Sequence, residues 1–105
     1  MKYLKQKENV YFFFYDDFDY MQVQSIKKEI LDVLEQNEIQ RVYFDFEKVT
    51  FIDSTGIGFV LARYRELSKR KIEIILCNLS KENKVIFEMS GIFQILKHQK
   101  NEVKL

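Results

Sequence analysis

The groups best placed to do chemistry gather in one run, Asp53-Ser54-Thr55-Gly56-Ile57-Gly58. As a hydrolase elbow the run fails, because it is not G-x-S-x-G. The one histidine, His98, sits in the polar stretch Lys97-His98-Gln99-Lys100, where solvent exposure is expected. As a dinucleotide fingerprint it supplies Gly56 and Gly58 but lacks the third glycine that lets helix and strand pack closely, and the Gly-Lys-Ser/Thr of a Walker A loop never occurs. Asp16, Asp17 and Asp19 with Asp53 are hard enough ligands for a cation. Their spacing is not that of an EF-hand loop, however, and acids beside a turn are usually caps or solvated groups. No catalytic residue, metal or cofactor is expected.

The run suits covalent modification better. Ser54 and Thr55 fall where a helix should open, and there the unpaired N–H groups and the macrodipole favour an added phosphate by roughly 0.3–1 kcal/mol, up to ~2 when partly buried. The plainer alternative is that Asp53 or Ser54 simply caps that helix. Ser54, Gly58 and Ala62 recur at i, i+4 and i+8, a strip of small side chains flanked by Phe59 and Arg63 that would let a partner approach closely. Gly58 costs ~1 kcal/mol against Ala in a helix interior, so it needs a use. That use is either docking or a fit under neighbouring structure of the same domain.

The elements that must position these residues follow from periodicity. Residues 2–6 and 10–15 read as two strands around the turn Lys7-Glu8-Asn9, with Val10 to Tyr15 apolar enough for a strand buried on both faces, and Asp16-Asp17-Phe18-Asp19 breaking the run. Val23, Ile26, Ile30, Val33 and Leu34 recur at helical spacing, predicting a helix over about 21–36 that ends near Asn37. Val42, Phe44 and Phe46 alternate with Arg41, Tyr43 and Asp45, predicting a strand over 41–46, a polar turn at Glu47-Lys48, and then Phe51-Ile52. A helix over 54–69 should bury Ile57, Val60, Leu61, Tyr64 and Leu67. Residues 72–77 should form a strand, and Ser80 should cap a helix over 81–89 with Val85, Ile86 and Met89 inward and Gly91 stopping it. Phe93 to Lys97 is expected as a last edge strand. Strands separated by helices need crossover connections, so the strands over 41–46 and 72–77 are parallel. The fold class is α/β: a mixed, mostly parallel sheet of four to five strands with an N-terminal hairpin and about three helices packed on it.

Composition sets the outer limits. The chain has 105 residues, 47% of them apolar with ten Phe and six Tyr, which implies a single folded domain over 1–105 and excludes a disordered tail as its main content. A formal charge of +1 argues against a nucleic-acid partner. Cys77 stands alone in Ile74-Ile75-Leu76-Cys77, so a disulfide framework is excluded and a small buried thiol is expected. The charged start Met1-Lys2-Tyr3-Leu4-Lys5 lacks a signal peptide's apolar stretch, and no apolar run approaches the ~20 residues of a membrane span. A cytoplasmic protein without a membrane partner is expected.

Phe51-Ile52-Asp53-Ser54-Thr55-Gly56-Ile57-Gly58, then Ala62-Arg63-Tyr64, then Phe87-Glu88-Met89-Ser90-Gly91-Ile92-Phe93, resembles the bacterial anti-sigma factor antagonists of the STAS family, with little need for gaps from Asp19 to about Lys97. The resemblance implies that Ser54 is the phosphoacceptor, with Thr55 the second choice. It also implies a partner surface including Asp19, Asp53, Thr55, Gly56, Gly58, Phe59, Ala62, Arg63, Ser90 and Gly91. The implied partners are an anti-sigma factor serine kinase, whose phosphorylation of the domain ends the binding, and a PP2C-type phosphatase that restores it. An alternative role is a scaffold subunit of a stressosome-like or lipid-transport assembly, and a third is nucleotide binding or phosphoryl carriage. Relatives usually carry G-E-[LI]-D before the first helix. Here Asp16 replaces the Gly, and Asp can enter the left-handed region at some cost. Relatives also often continue into a C-terminal helix beyond the position of Leu105, so any contact made by that helix is not expected here.

Overall fold

A computed structural model describes residues 1–36 and 38–105. The chain runs β1 (Lys2–Gln6), β2 (Asn9–Phe18), α1 (Tyr20–Gln36), β3 (Arg41–Ile52), α2 (Ser54–Lys69), β4 (Glu73–Cys77), α3 (Lys81–Met89), a 3-10 turn (Ile92–Gln94) and β5 (Lys97–Gln99). The five strands lie in the order β1-β2-β3-β4-β5, with β1 antiparallel to β2 and every other neighbouring pair parallel. The mixed, mostly parallel sheet, its hairpin and its three helices are those the periodicity predicts. Helix α1 ends at Gln36, and the predicted end near Asn37 lies outside the described residues.

Alternation divides the sheet. Val10, Phe12, Phe14 and Phe18 of β2, Val42, Phe44 and Phe46 of β3, and Ile74 and Leu76 of β4 point to one face, where the apolar stripes of all three helices cover them. The phenylalanines interlock: Phe14 packs on Phe18 at 4.6 Å between ring centres and on Phe44 at 5.4 Å, Phe18 meets Phe46 edge-on at 5.2 Å, and Phe46 meets Phe87 at 5.5 Å. On the other face Tyr11 stacks on Tyr43 at 4.4 Å, and the buried Asp45 carboxylate accepts hydrogen bonds from the amides of Asn78 (3.0 Å) and Asn101 (2.8 Å). The segment after β5 is thereby tied to the centre of the sheet.

Four expectations are corrected. Strand β2 does not break at Asp16 but continues through Phe18, because Asp16 takes φ +59°, the left-handed conformation foreseen for it in place of glycine, and pairing with β3 then resumes. Strand β3 has no turn at Glu47-Lys48. It runs unbroken to Ile52 with register shifts that place two extra residues between the pairs Phe13–Asp45 and Phe18–Ile52, and bulges absorb the polar stretch. Helix α3 buries Asn83 and Phe87, leaving Val85 exposed, Met89 84% exposed and Ile86 half-buried. The Asn83 amide donates to the Val49 carbonyl at 3.2 Å, and this bond together with Phe87 turns the helix. Finally, Gly91 at φ +79° opens a 3-10 turn, so the last strand starts at Lys97 rather than Phe93.

Candidate functional site

Strands β2 and β3 are parallel and end level with each other, Phe18 opposite Ile52. The next residue of each, Asp19 and Asp53, starts a helix in the same way. Asp19 Oδ1 accepts the Gln22 N–H at 3.1 Å and its carbonyl accepts the Val23 N–H at 2.9 Å; Asp53 Oδ1 accepts the Gly56 N–H at 3.0 Å and its carbonyl the Ile57 N–H at 3.2 Å. Two carboxylates thus stand at adjacent positions on the carboxyl edge of the sheet. Of the two caps the sequence allowed, Asp53 is the one used, and this leaves Ser54 exposed as the first residue of α2, with Thr55 half-buried behind it.

Gly56 fixes this end of α2 against the β2–α1 junction. A Cβ there would lie 2.3 Å from the Phe18 carbonyl oxygen and 2.7 Å from its ring, so only glycine permits the approach. Two residues on, Gly58 is exposed with nothing within 4 Å of its Cβ position, and Ala62 is half-buried. Ser54, Gly58 and Ala62 form the predicted strip, but its flanks are not surface residues. Phe59 belongs to the core, its ring 5.9 Å from Phe18 and 6.4 Å from Phe44, and Arg63 is buried with its guanidinium 4.8 Å from the Phe59 ring centre. Packing of α1 against this side of α2 widens the buried arc beyond the stripe the spacing predicts, while Leu61 and Tyr64 are only partly covered. Between α1 and α2 a groove of about 280 Å³ is lined by Val23, Lys27, Thr55, Gly58, Ala62 and Arg63, among others.

Among the described residues, no hydrogen bond of Ser90 or Gly91 brings them into this constellation. They close α3: Ser90 Oγ donates to the Phe87 carbonyl at 2.6 Å and accepts the Ile92 N–H at 3.3 Å. His98 is not a solvated tail residue. It lies in β5, half-buried, its Nε2 accepting the Leu79 N–H at 3.3 Å and its ring 5.8 Å from Phe93; burial first, and Lys84 second, hold its pKa below the usual value. Cys77 is fully buried, as expected, and burial with the charge of Asp45 pushes its thiol up to about 12. Sequence reasoning missed the exposed Tyr20 and Met21 of the first turn of α1 and the exposed Phe51, which stand next to Asp19 and two residues before Asp53. The signal was present, since Tyr20 and Met21 precede the apolar period of α1 and fall outside it. Among the described residues no three His, Cys, Asp or Glu side chains converge as a metal site, and no helix is long and apolar enough to cross a membrane.

Comparison with known proteins agrees with this architecture. Residues 2–105 match the family model of the STAS domain, and the chain belongs to that family. It is 30% identical over 86 residues to an anti-sigma F factor antagonist of Lysinibacillus sphaericus, an alignment covering 82% of this chain and 74% of the relative. The unphosphorylated anti-sigma factor antagonist SpoIIAA superposes with a TM-score of 0.73 at 26% identity, over 95% of this chain and 87% of that one. The phosphorylated form of SpoIIAA, a Bacillus cell fate determinant, superposes with a TM-score of 0.75 at 27% identity, over 96% and 92%.

Proposed function

We propose that this protein is an anti-sigma factor antagonist, a single-domain binding module of the cytoplasm without catalysis of its own. Its unphosphorylated form binds an anti-sigma factor that is a serine kinase and so releases the sigma factor. Phosphorylation at Ser54 ends the binding, and a PP2C-type phosphatase restores it. The observation that carries the reading is the exposed Ser54 at the first position of α2, relieved of capping by Asp53 and set at the edge where Asp19 and Asp53 stand side by side. Similarity to SpoIIAA, a relative that exists in phosphorylated and unphosphorylated forms, supports it.

The electrostatics give the switch its sign. A phosphate brings about −1.5 to −2 charges. At the helix N-terminus the macrodipole and free N–H groups accommodate that charge, so the fold persists. Toward a partner the same group stands beside two carboxylates and fills the space a close contact needs. The test is incubation with the cognate kinase and ATP followed by mass spectrometry. Stoichiometric phosphate on Ser54, absent from Ser54→Ala, is expected; undiminished labelling of Ser54→Ala moves the acceptor to Thr55, and stable association indifferent to Ser54→Ala and to ATP points to a permanent scaffold instead.

A further inference from the structure

Arg63 is 6% exposed and has fewer acceptors around it than its donors need. Its Nη2 lies 3.5 Å from Glu66 Oε2, while Nε and Nη1 are buried with no hydrogen-bond partner among the described residues. The Phe59 ring offers a cation–π contact but takes no hydrogen bond in the ordinary sense. A buried cation with unmet donors is unfavourable unless something supplies acceptors. Arg63 lines the α1–α2 groove, whose α2 wall is the small strip of Gly58 and Ala62 and whose α1 wall carries the exposed Lys27. The one carboxylate beside Arg63 among the described residues is Glu66, which reaches only Nη2, while Asp19 and Asp53 serve as helix caps and do not line the groove.

We propose that this groove receives a Glu or Asp side chain of the anti-sigma factor, whose carboxylate pairs with Arg63 beside Lys27 while the same partner covers Ser54. The inference rests on the function proposed above. Ser54, Gly58 and Ala62 lie one turn apart on one face of α2, so a surface that touches the hydroxyl also lies over the groove. Open space at Gly58 admits a side chain there, and a carboxylate matches the guanidinium in charge and in donor geometry.

The test uses the full chain and its anti-sigma factor, with calorimetric titration of wild type, Arg63→Gln and Arg63→Lys, melts of each free protein, and the Arg63 Nε–H resonance followed by NMR. The expected result is a loss of affinity of about thirtyfold or more for Arg63→Gln, with a smaller loss for Arg63→Lys. The melting temperature of Arg63→Gln should be unchanged or raised, because two buried donors without partners are gone. The Nε–H resonance of the wild type should move downfield on adding unlabelled partner. Wild-type affinity in both variants, or a resonance that stays in place, overturns the proposal. So does an equal shift on adding sodium acetate alone, which assigns the groove to a free anion. If Arg63→Gln does not fold, the Arg63→Lys titration and the resonance still decide. Failure of the wild type itself to bind the anti-sigma factor is a separate outcome: it refutes the functional reading, and this inference with it.

Discussion

Gly56 and Gly58 stand two residues apart in α2 under opposite constraints. The atom facing Gly56 is the Phe18 backbone oxygen, which cannot retreat without moving the junction that carries Asp19, whereas Gly58 faces open space. Gly58→Ala is therefore expected to stabilise the protein by roughly 0.8–1.0 kcal/mol through helix propensity alone. Gly56→Ala is expected to destabilise it by ~1–3 kcal/mol or more through overpacking. Urea denaturation of the two variants separates them, and a shift of the same sign in both would contradict the packing described. The pattern Asp53-Ser54-Thr55-Gly56-Ile57-Gly58 was legible in the sequence as a helix start, and the cap and the left-handed Asp16 follow from rules of residue type. What distinguishes the two glycines was not legible, because Phe18 is remote in sequence from both and touches only one.

Among the elements, β5 shows where periodicity stops being informative. It is three residues long, too short to display alternation, and its position depends on the αL turn at Gly91 and on the bond from Leu79 N–H to His98. Likewise the inward face of α3 is set by the buried Phe87 together with one polar bond, Asn83 to Val49, which takes a place the apolar spacing assigned to Val85 and Met89. Long elements such as α1 and β3 were legible because many residues vote for one face, although the bulges that keep β3 unbroken were not. His98 has a testable consequence at this scale. Its pKa is lowered in the folded protein by burial and by Lys84, so below about pH 6.5, the unfolded value, the unfolded chain binds more protons than the folded one. Stability should be full above that pH and should decline as pH falls through the window between the unfolded and the lowered folded value. Comparing urea midpoints at about pH 7.5 and 5.5, the loss on acidification should be smaller in His98→Gln than in wild type. An identical loss in both proteins would remove His98 from this role.

The whole molecule works as a mount for one edge. The parallel register brings β2 and β3 to the same level, the crossovers start α1 and α2 there, and the interlocked phenylalanines beneath hold both helix starts in place. An edge with two helix-capping carboxylates and an exposed hydroxyl at the first position of α2 can change its surface charge without changing its fold, and the proposed switch requires that property. The most direct measurement is calorimetric titration of the anti-sigma factor with the unphosphorylated protein and with protein phosphorylated at Ser54, alongside far-ultraviolet circular dichroism of both forms. The account predicts tight binding by the first, no detectable binding by the second, and superimposable spectra. Equal affinity of the two forms would contradict the switch, and loss of binding accompanied by a collapsed spectrum would contradict its mechanism.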